Sequence, residues 1–139
     1  MPEASPARRL QGAGILVEER RRRTCIDLRG DARDVRFVRA VASVTDLAVP
    51  TQPCTSSSGL LASILWLGPN EWLAVSDTQG AAALHASLAA ALRGLAAAAI
   101  DVSDGRIVYA VSGSNARHLL AKGCPLDLHE RVFPASACA

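Results

Sequence analysis

The sequence predicts an α+β fold, with helices packed on one face of a mixed, largely antiparallel sheet. Three observations predict it. Short apolar segments, at best alternating with a two-residue period, come in pairs around turn residues. Two longer segments repeat apolar residues every three or four positions, as amphipathic helices do. The resulting order, β β α β β α β β α, is not the regular alternation of a doubly wound parallel sheet. With 139 residues, half of them hydrophobic and a fifth charged, the chain has room for one globular domain with a core of its own.

Residues 1–13 carry Pro, Ser, Gly and charge with little periodicity. They read as a flexible leader, which leaves 14–139 as a single domain. Gly14–Glu18 and Thr24–Arg29 read as two short strands; in the second, Cys25, Asp27 and Arg29 alternate with Ile26 and Leu28. Asp34 is a natural N-cap. Val35, Val38, Val41 and Ala42 then form a helical stripe, with Phe37 and Val44 beside it, ending before Pro50. Residues 50–59 have loop composition. Leu60–Leu67 and Glu71–Ser76 read as a hairpin around Gly68-Pro69-Asn70, because Pro fixes φ and Asn tolerates left-handed geometry. Gln79–Leu95 is the clearest helix, with Leu84, Leu88, Leu92 and Leu95 on one stripe. Ala97–Ser103 and Arg106–Ser112 read as strands joined at Asp104-Gly105. A short helix over Asn115–Lys122 follows, with Ala116, Leu119 and Leu120 turned inward and Gly123 as its C-cap.

The net charge of +2 argues against a dedicated nucleic-acid binder. Residues 1–39 hold ten basic and six acidic groups, so an anionic partner would meet that third first. Arg20-Arg21-Arg22-Arg23 could contact phosphate; a solvated turn guarding a strand edge is the plainer reading. No stretch approaches the roughly 20 apolar residues of a membrane span, and the N-terminus lacks the apolar run of a signal peptide, so the expected compartment is the cytoplasm. Cys25, Cys54, Cys124 and Cys138 form no close pair, and His85, His118 and His129 form no ligand motif. Neither a zinc site nor a disulfide framework is therefore expected, and the thiols read as reduced and mostly buried.

Catalytic candidates are weak. Cys124 lies near His118 and His129 in sequence, which would suit a thiolate–imidazole pair only if the fold aligned them. Asp101, Asp104 and Asp127 could serve acid–base chemistry, but turn roles fit them better. Phosphate-loop, serine-elbow and zinc-protease motifs are absent. An auxiliary subunit or binding module fits better than an autonomous enzyme.

Two segments carry a resemblance: LWLGPNEWL at Leu65–Leu73, and DVSDGRIVYAVSGSNARHLLAKGCPLDLHERVF at Asp101–Phe133. They resemble the gamma subunit of heterotetrameric bacterial sarcosine oxidase, whose pattern is close to LWLGPDEWL, DVSDGR, SGPxAR and KGCPLDLHPxxF. LRGD at Leu28–Asp31 also fits, and similarity covers roughly residues 24–138. Asn70 and Ser114 stand where the pattern has Asp and Pro. The resemblance implies a non-catalytic subunit whose partners are alpha, beta and delta chains. It implies oxidative demethylation of sarcosine to glycine, with hydrogen peroxide and formaldehyde or methylene-tetrahydrofolate as products. It implies no cofactor in this chain, with FAD, FMN, NAD and tetrahydrofolate held by the larger subunits and zinc by the smallest. It implies a fold like the folate-binding domain of the glycine-cleavage T-protein. The family pattern continues past Cys138-Ala139, so the fold is expected to be incomplete at its C-terminus. A free-standing tetrahydrofolate-binding domain is the alternative, with Asp101 as the one acidic candidate for the pterin. No catalytic, cofactor or metal residue is assigned. The expected subunit interface is the loop of Gly123, Cys124, Pro125, Leu126, Asp127, Leu128 and His129.

Overall fold

The computed structural model describes residues 8–21 and 23–139. In chain order the elements are β1 (Arg9–Gly12), β2 (Ile15–Arg20), β3 (Thr24–Arg29), α1 (Val35–Thr45), β4 (Ser56–Ser58), β5 (Ser63–Gly68), β6 (Glu71–Ser76), α2 (Ala81–Ala91), β7 (Ala98–Asp101), β8 (Val108–Ser112) and α3 (Ala116–Leu120). The architecture is α+β with antiparallel pairing throughout. The expected single sheet is two sheets, ordered β4-β5-β6-β3-β7 and β1-β2-β8. The described residues gather into two compact units, one within Met1–Arg21 and Ile107–Pro134, the other within Arg22–Arg106 and Ala135–Ala139.

The larger unit holds the five-stranded sheet. Alternation along β3 turns Ile26 and Leu28 to one face, where α1 and α2 cover them together with Ile64, Trp72 and Ala74. Cys25 points the other way and packs with Leu73 and Val75. Asp34 caps α1 by accepting from the Arg36 N–H at 2.9 Å. The buried stripe of α1 is Phe37, Val41 and Thr45, whereas Val35 is exposed. The stripe starts at Phe37 because the large ring seeks the sheet more strongly than valine at the first turn. In α2, Leu84, Leu88 and Leu92 are buried, each stabilising the core by about 2–3 kcal/mol. That helix stops earlier than Leu95, because Gly94 turns the chain at φ +79°.

Two further corrections fall in this unit. Ser56–Ser58, inside the expected loop, form strand β4 against β5. Leu60 and Leu61, expected in a strand, are exposed in the connection before β5.

The smaller unit holds the three-stranded sheet. Arg9–Gly12, expected in the leader, pair in register with β2; residues 1–7 lie outside the described residues. Ala13 and Gly14, at φ +48° and +72°, make the two-residue turn whose twist suits a hairpin. Gly113 has φ +106°, and a Cβ there would run into the Gly14 carbonyl. β7 and β8 do not pair with each other: a 3-10 turn at Ser103–Gly105 sends them to different sheets. In α3 only Ala116 is half-buried; Leu119 and Leu120 are exposed, against expectation. Gly123 does not take the left-handed cap, since its φ is not positive. Instead the Gly123 and Cys124 N–H groups both reach back to the Leu120 carbonyl, at 3.1 and 2.9 Å.

Candidate functional site

The segment Gly123–His129 follows α3 directly. Its geometry comes from local bonds. Asp127 Oδ1 accepts from the His129 N–H at 3.0 Å, a short turn of the kind Asp favours. His129 Nδ1 accepts from the Arg131 N–H at 3.3 Å, and the His129 carbonyl accepts from Val132 and Phe133. Arg117 pairs with Glu130 at 2.6 Å, and that hydrogen bond holds the Glu130 carboxyl below its usual range. Cys124 and Leu128 are half-buried; Gly123, Pro125, Leu126, Asp127 and His129 are exposed. Leu119, Leu120, Leu126 and Val132 are all more than a third exposed, so this stretch carries several apolar side chains at its surface.

The catalytic candidates are not brought together as a reactive set. Among the described residues no hydrogen bond joins Cys124 to His118 or His129, and His129 Nδ1 is already engaged. Asp101 Oδ1 accepts from the Ser103 N–H at 3.0 Å and from Ser103 Oγ at 2.6 Å. Those bonds hold its carboxyl below the usual range. Ser103 Oγ in turn accepts from the Cys25 N–H at 3.0 Å, and Val102 N–H bonds to the Cys25 carbonyl. The DVS motif therefore latches the end of β7 to β3. His85, expected at the edge of the helical stripe, lies there half-buried, with Nε2 3.1 Å from the Ala99 carbonyl. No three His, Cys, Asp or Glu among the described residues are placed to hold a metal ion.

The other motifs also serve packing. Trp72 is buried, and its Nε1 donates to the Pro50 carbonyl at 2.7 Å. A Cβ on Gly30, in LRGD, would enter the Phe37 ring. The basic run is held by acids. Arg20 lies 3.8 Å from Glu18 and Arg21 3.0 Å from Glu19, while Arg23 makes a two-point pair with Asp77 at 2.7 and 2.8 Å. Arg22 lies outside the described residues. Of the four thiols only Cys25 is fully buried; Cys54 is exposed, and Cys124 and Cys138 are half-buried. The reading of the thiols as mostly buried is thus corrected: single polar neighbours in a loop do not reveal its exposure.

One feature had no sequence signal. An open groove of about 1140 Å³ runs beside Arg29, Asp31, Arg33, Trp66 and Asn70. Its charges are matched within the chain, Arg29 by Asp27 and Glu71 and Arg33 by Asp31. Among the described residues no helix is long and apolar enough to cross a membrane.

Fold and site together define an α+β chain whose distinctive motifs build packing and whose exposed apolar residues follow a short C-terminal helix. The chain belongs to the sarcosine oxidase gamma subunit family, whose pattern matches residues 29–139. It is similar to the sarcosine oxidase subunit gamma of an Arthrobacter species, at 44% identity over 71 residues, covering 51% of this chain and 34% of that one. The corresponding protein of Corynebacterium sp. (strain U-96) is 34% identical over 97 residues, covering 68% of this chain and 45% of that one. Among solved structures, a chain of the heterotetrameric sarcosine oxidase from Corynebacterium sp. U-96, in complex with pyrrole 2-carboxylate, superposes with a TM-score of 0.77. It shares 28% identity, over 88% of this chain and 63% of that one. The matched parts are thus from a third to under a half of the curated relatives' length.

Proposed function

We propose that this chain is a non-catalytic accessory subunit of a heterotetrameric sarcosine oxidase. The observation that carries the reading is the likeness, at TM-score 0.77, to a chain of a solved heterotetramer of that name. Under this reading the assembly demethylates sarcosine to glycine, with hydrogen peroxide and formaldehyde or methylene-tetrahydrofolate as products. Alpha, beta and delta subunits are the partners, in the cytoplasm, and they carry FAD, FMN, NAD and tetrahydrofolate. The core architecture is read as kin to the folate-binding domain of the glycine-cleavage T-protein.

Gly123–His129 is the proposed contact with a larger subunit. Exposed Leu126 and Val132, set among the local bonds of Asp127 and His129, support it, because an interface core takes apolar residues framed by satisfied polar groups. The test is a tagged pull-down from the native cells. Two large partners and flavin absorbance in the eluate are expected. A colourless eluate without partners overturns the reading. Leu126→Asp should lower recovery of the partners at least tenfold while leaving the far-UV spectrum of the chain unchanged.

A further inference from the structure

Cys54 and Cys138 are far apart in sequence but neighbours in the fold. Thr55 and Ala137 form an antiparallel bridge. It is flanked by the bonds Ser56 N–H to Ser136 carbonyl, 2.7 Å, and Cys138 N–H to Cys54 carbonyl, 2.9 Å. The second bond sets Cys54 and Cys138 side by side next to this isolated bridge. A backbone bond across antiparallel segments holds the two Cα atoms roughly 5.5 Å apart, within the span a disulfide bridges.

We propose that Cys54 and Cys138 are a redox-modification site, joined by a peroxide oxidant into a disulfide that fastens residues 136–138 to the start of β4. Three features support the pairing. Cys54 is exposed, so an oxidant reaches it directly. Its backbone is left-handed, φ +59°, an uncommon conformation for a residue with a side chain. Cys138 Sγ is held at 3.1 Å from the Thr55 carbonyl, beside the residue that follows Cys54. Burial pushes the Cys138 thiol up, and the nearby Cys54 sulfur adds to that push against the bond to the Trp66 backbone.

The chemistry balances with hydrogen peroxide. Cys54 sulfur attacks the O–O bond, becomes a sulfenic acid and releases one water. Cys138 sulfur displaces the hydroxyl from Cys54, the S–S bond forms, and the Cys138 proton leaves with the hydroxyl as a second water. Two thiols and one peroxide thus give one disulfide and two waters. An oxidase subunit would meet this oxidant at its source, but the inference stands on the bridge and the Cys138-to-Cys54 backbone bond and does not depend on that reading.

The test uses the full 139-residue chain, reduced and then treated with stoichiometric hydrogen peroxide, with free thiols alkylated before mass analysis. The expected result is loss of two hydrogens and of two alkylatable thiols, with one peptide pair joined through Cys54 and Cys138 and released by reductant. Thermal unfolding of the oxidised chain should shift up by several degrees. Cys54→Ser, at an exposed position, should abolish the joined pair, and Cys124→Ser should leave it intact. A bond from either cysteine to Cys124, a dimer through Cys54, or overoxidised Cys54 beside an alkylatable Cys138 overturns the proposal. None of these readouts involves another subunit, so this inference and the proposed function fail separately.

Discussion

Phe37 and Trp72 meet across the helix–sheet interface with ring centroids 5.4 Å apart and planes inclined at 39°. The pair joins α1 to β6 at the centre of the larger core. Tilted aromatic pairs of this kind add about 0.5–1.5 kcal/mol beyond the area they bury. Trp72→Phe keeps a ring but removes the N–H that satisfies the Pro50 carbonyl. The expected loss is about 1–3 kcal/mol. Urea unfolding followed by Trp66 fluorescence should show it, and an unchanged midpoint would mean that water replaces the bond.

Leu88 has no exposed surface. Leu88→Ala should cost about 2–5 kcal/mol, the transfer loss plus a cavity. Leu88→Asp should leave the chain unfolded or insoluble, since an unpaired buried charge exceeds the margin of an ordinary domain. Retention of the far-UV spectrum and midpoint by the aspartate variant would show that α2 turns a different face inward.

Gly30→Ala should destabilise by roughly 1–3 kcal/mol, because its new methyl meets the Phe37 ring within a packed core. Gly105→Ala enters open space and should stay within about 0.5 kcal/mol of the parent. The two midpoints, measured side by side, separate a steric effect from a general cost of replacing glycine.

Ala13 occupies a left-handed position in the β1–β2 turn, where asparagine is favoured before glycine. Ala13→Asn should stabilise the hairpin by up to about 1 kcal/mol. Slower hydrogen exchange at the β1 and β2 amides is the readout; faster exchange would contradict the turn geometry.

Asp31, Asp34 and Asp101 all have carboxyls held below their usual range, by Arg33, Arg36 and Ser103 respectively. A depressed carboxyl binds fewer protons folded than unfolded, so its contribution is present above the unfolded value, near pH 4, and fades as pH falls through the lower folded value. The thermal midpoint should therefore hold from neutrality to about pH 5 and decline below pH 4. Asp31 and Asp101 are exposed and Asp34 is half-buried at the surface, so solvent screening keeps each contribution small. Asp101→Asn should flatten part of the decline; an identical acid slope would assign it to other groups.

Much of the larger unit was legible in advance because its residues carry strong patterns. The leucines of α2 repeat at helical spacing, Asp34 stands where a cap is needed, and Gly68-Pro69-Asn70 separates two apolar runs. β4 escaped notice because Ser56–Ser58 have no apolar member; pairing alone makes them a strand. β1 escaped for a related reason, since all four of its residues are exposed and no alternation marks a buried face. Leu119 and Leu120 looked like core because apolar spacing says which face is greasy and not whether anything covers it. In the candidate segment, Gly123–His129 could be singled out by its unusual composition. Its internal bonds through Asp127 and His129 depend on backbone geometry that no spacing rule encodes.

The small sheet is discontinuous along the chain: β2 and β8 pair residues as far apart as Arg20 and Val108. Closing a loop of that length in an unstructured chain is entropically slow. The bond from Val102 to Cys25 alters the problem, because once the larger unit has formed only about eleven residues separate the strands. By the logarithmic dependence of closure entropy on length, that shortening is worth about 2 kcal/mol. The larger unit, inserted in sequence between these strands, thereby acts as a splint that lowers the entropic cost of pairing them.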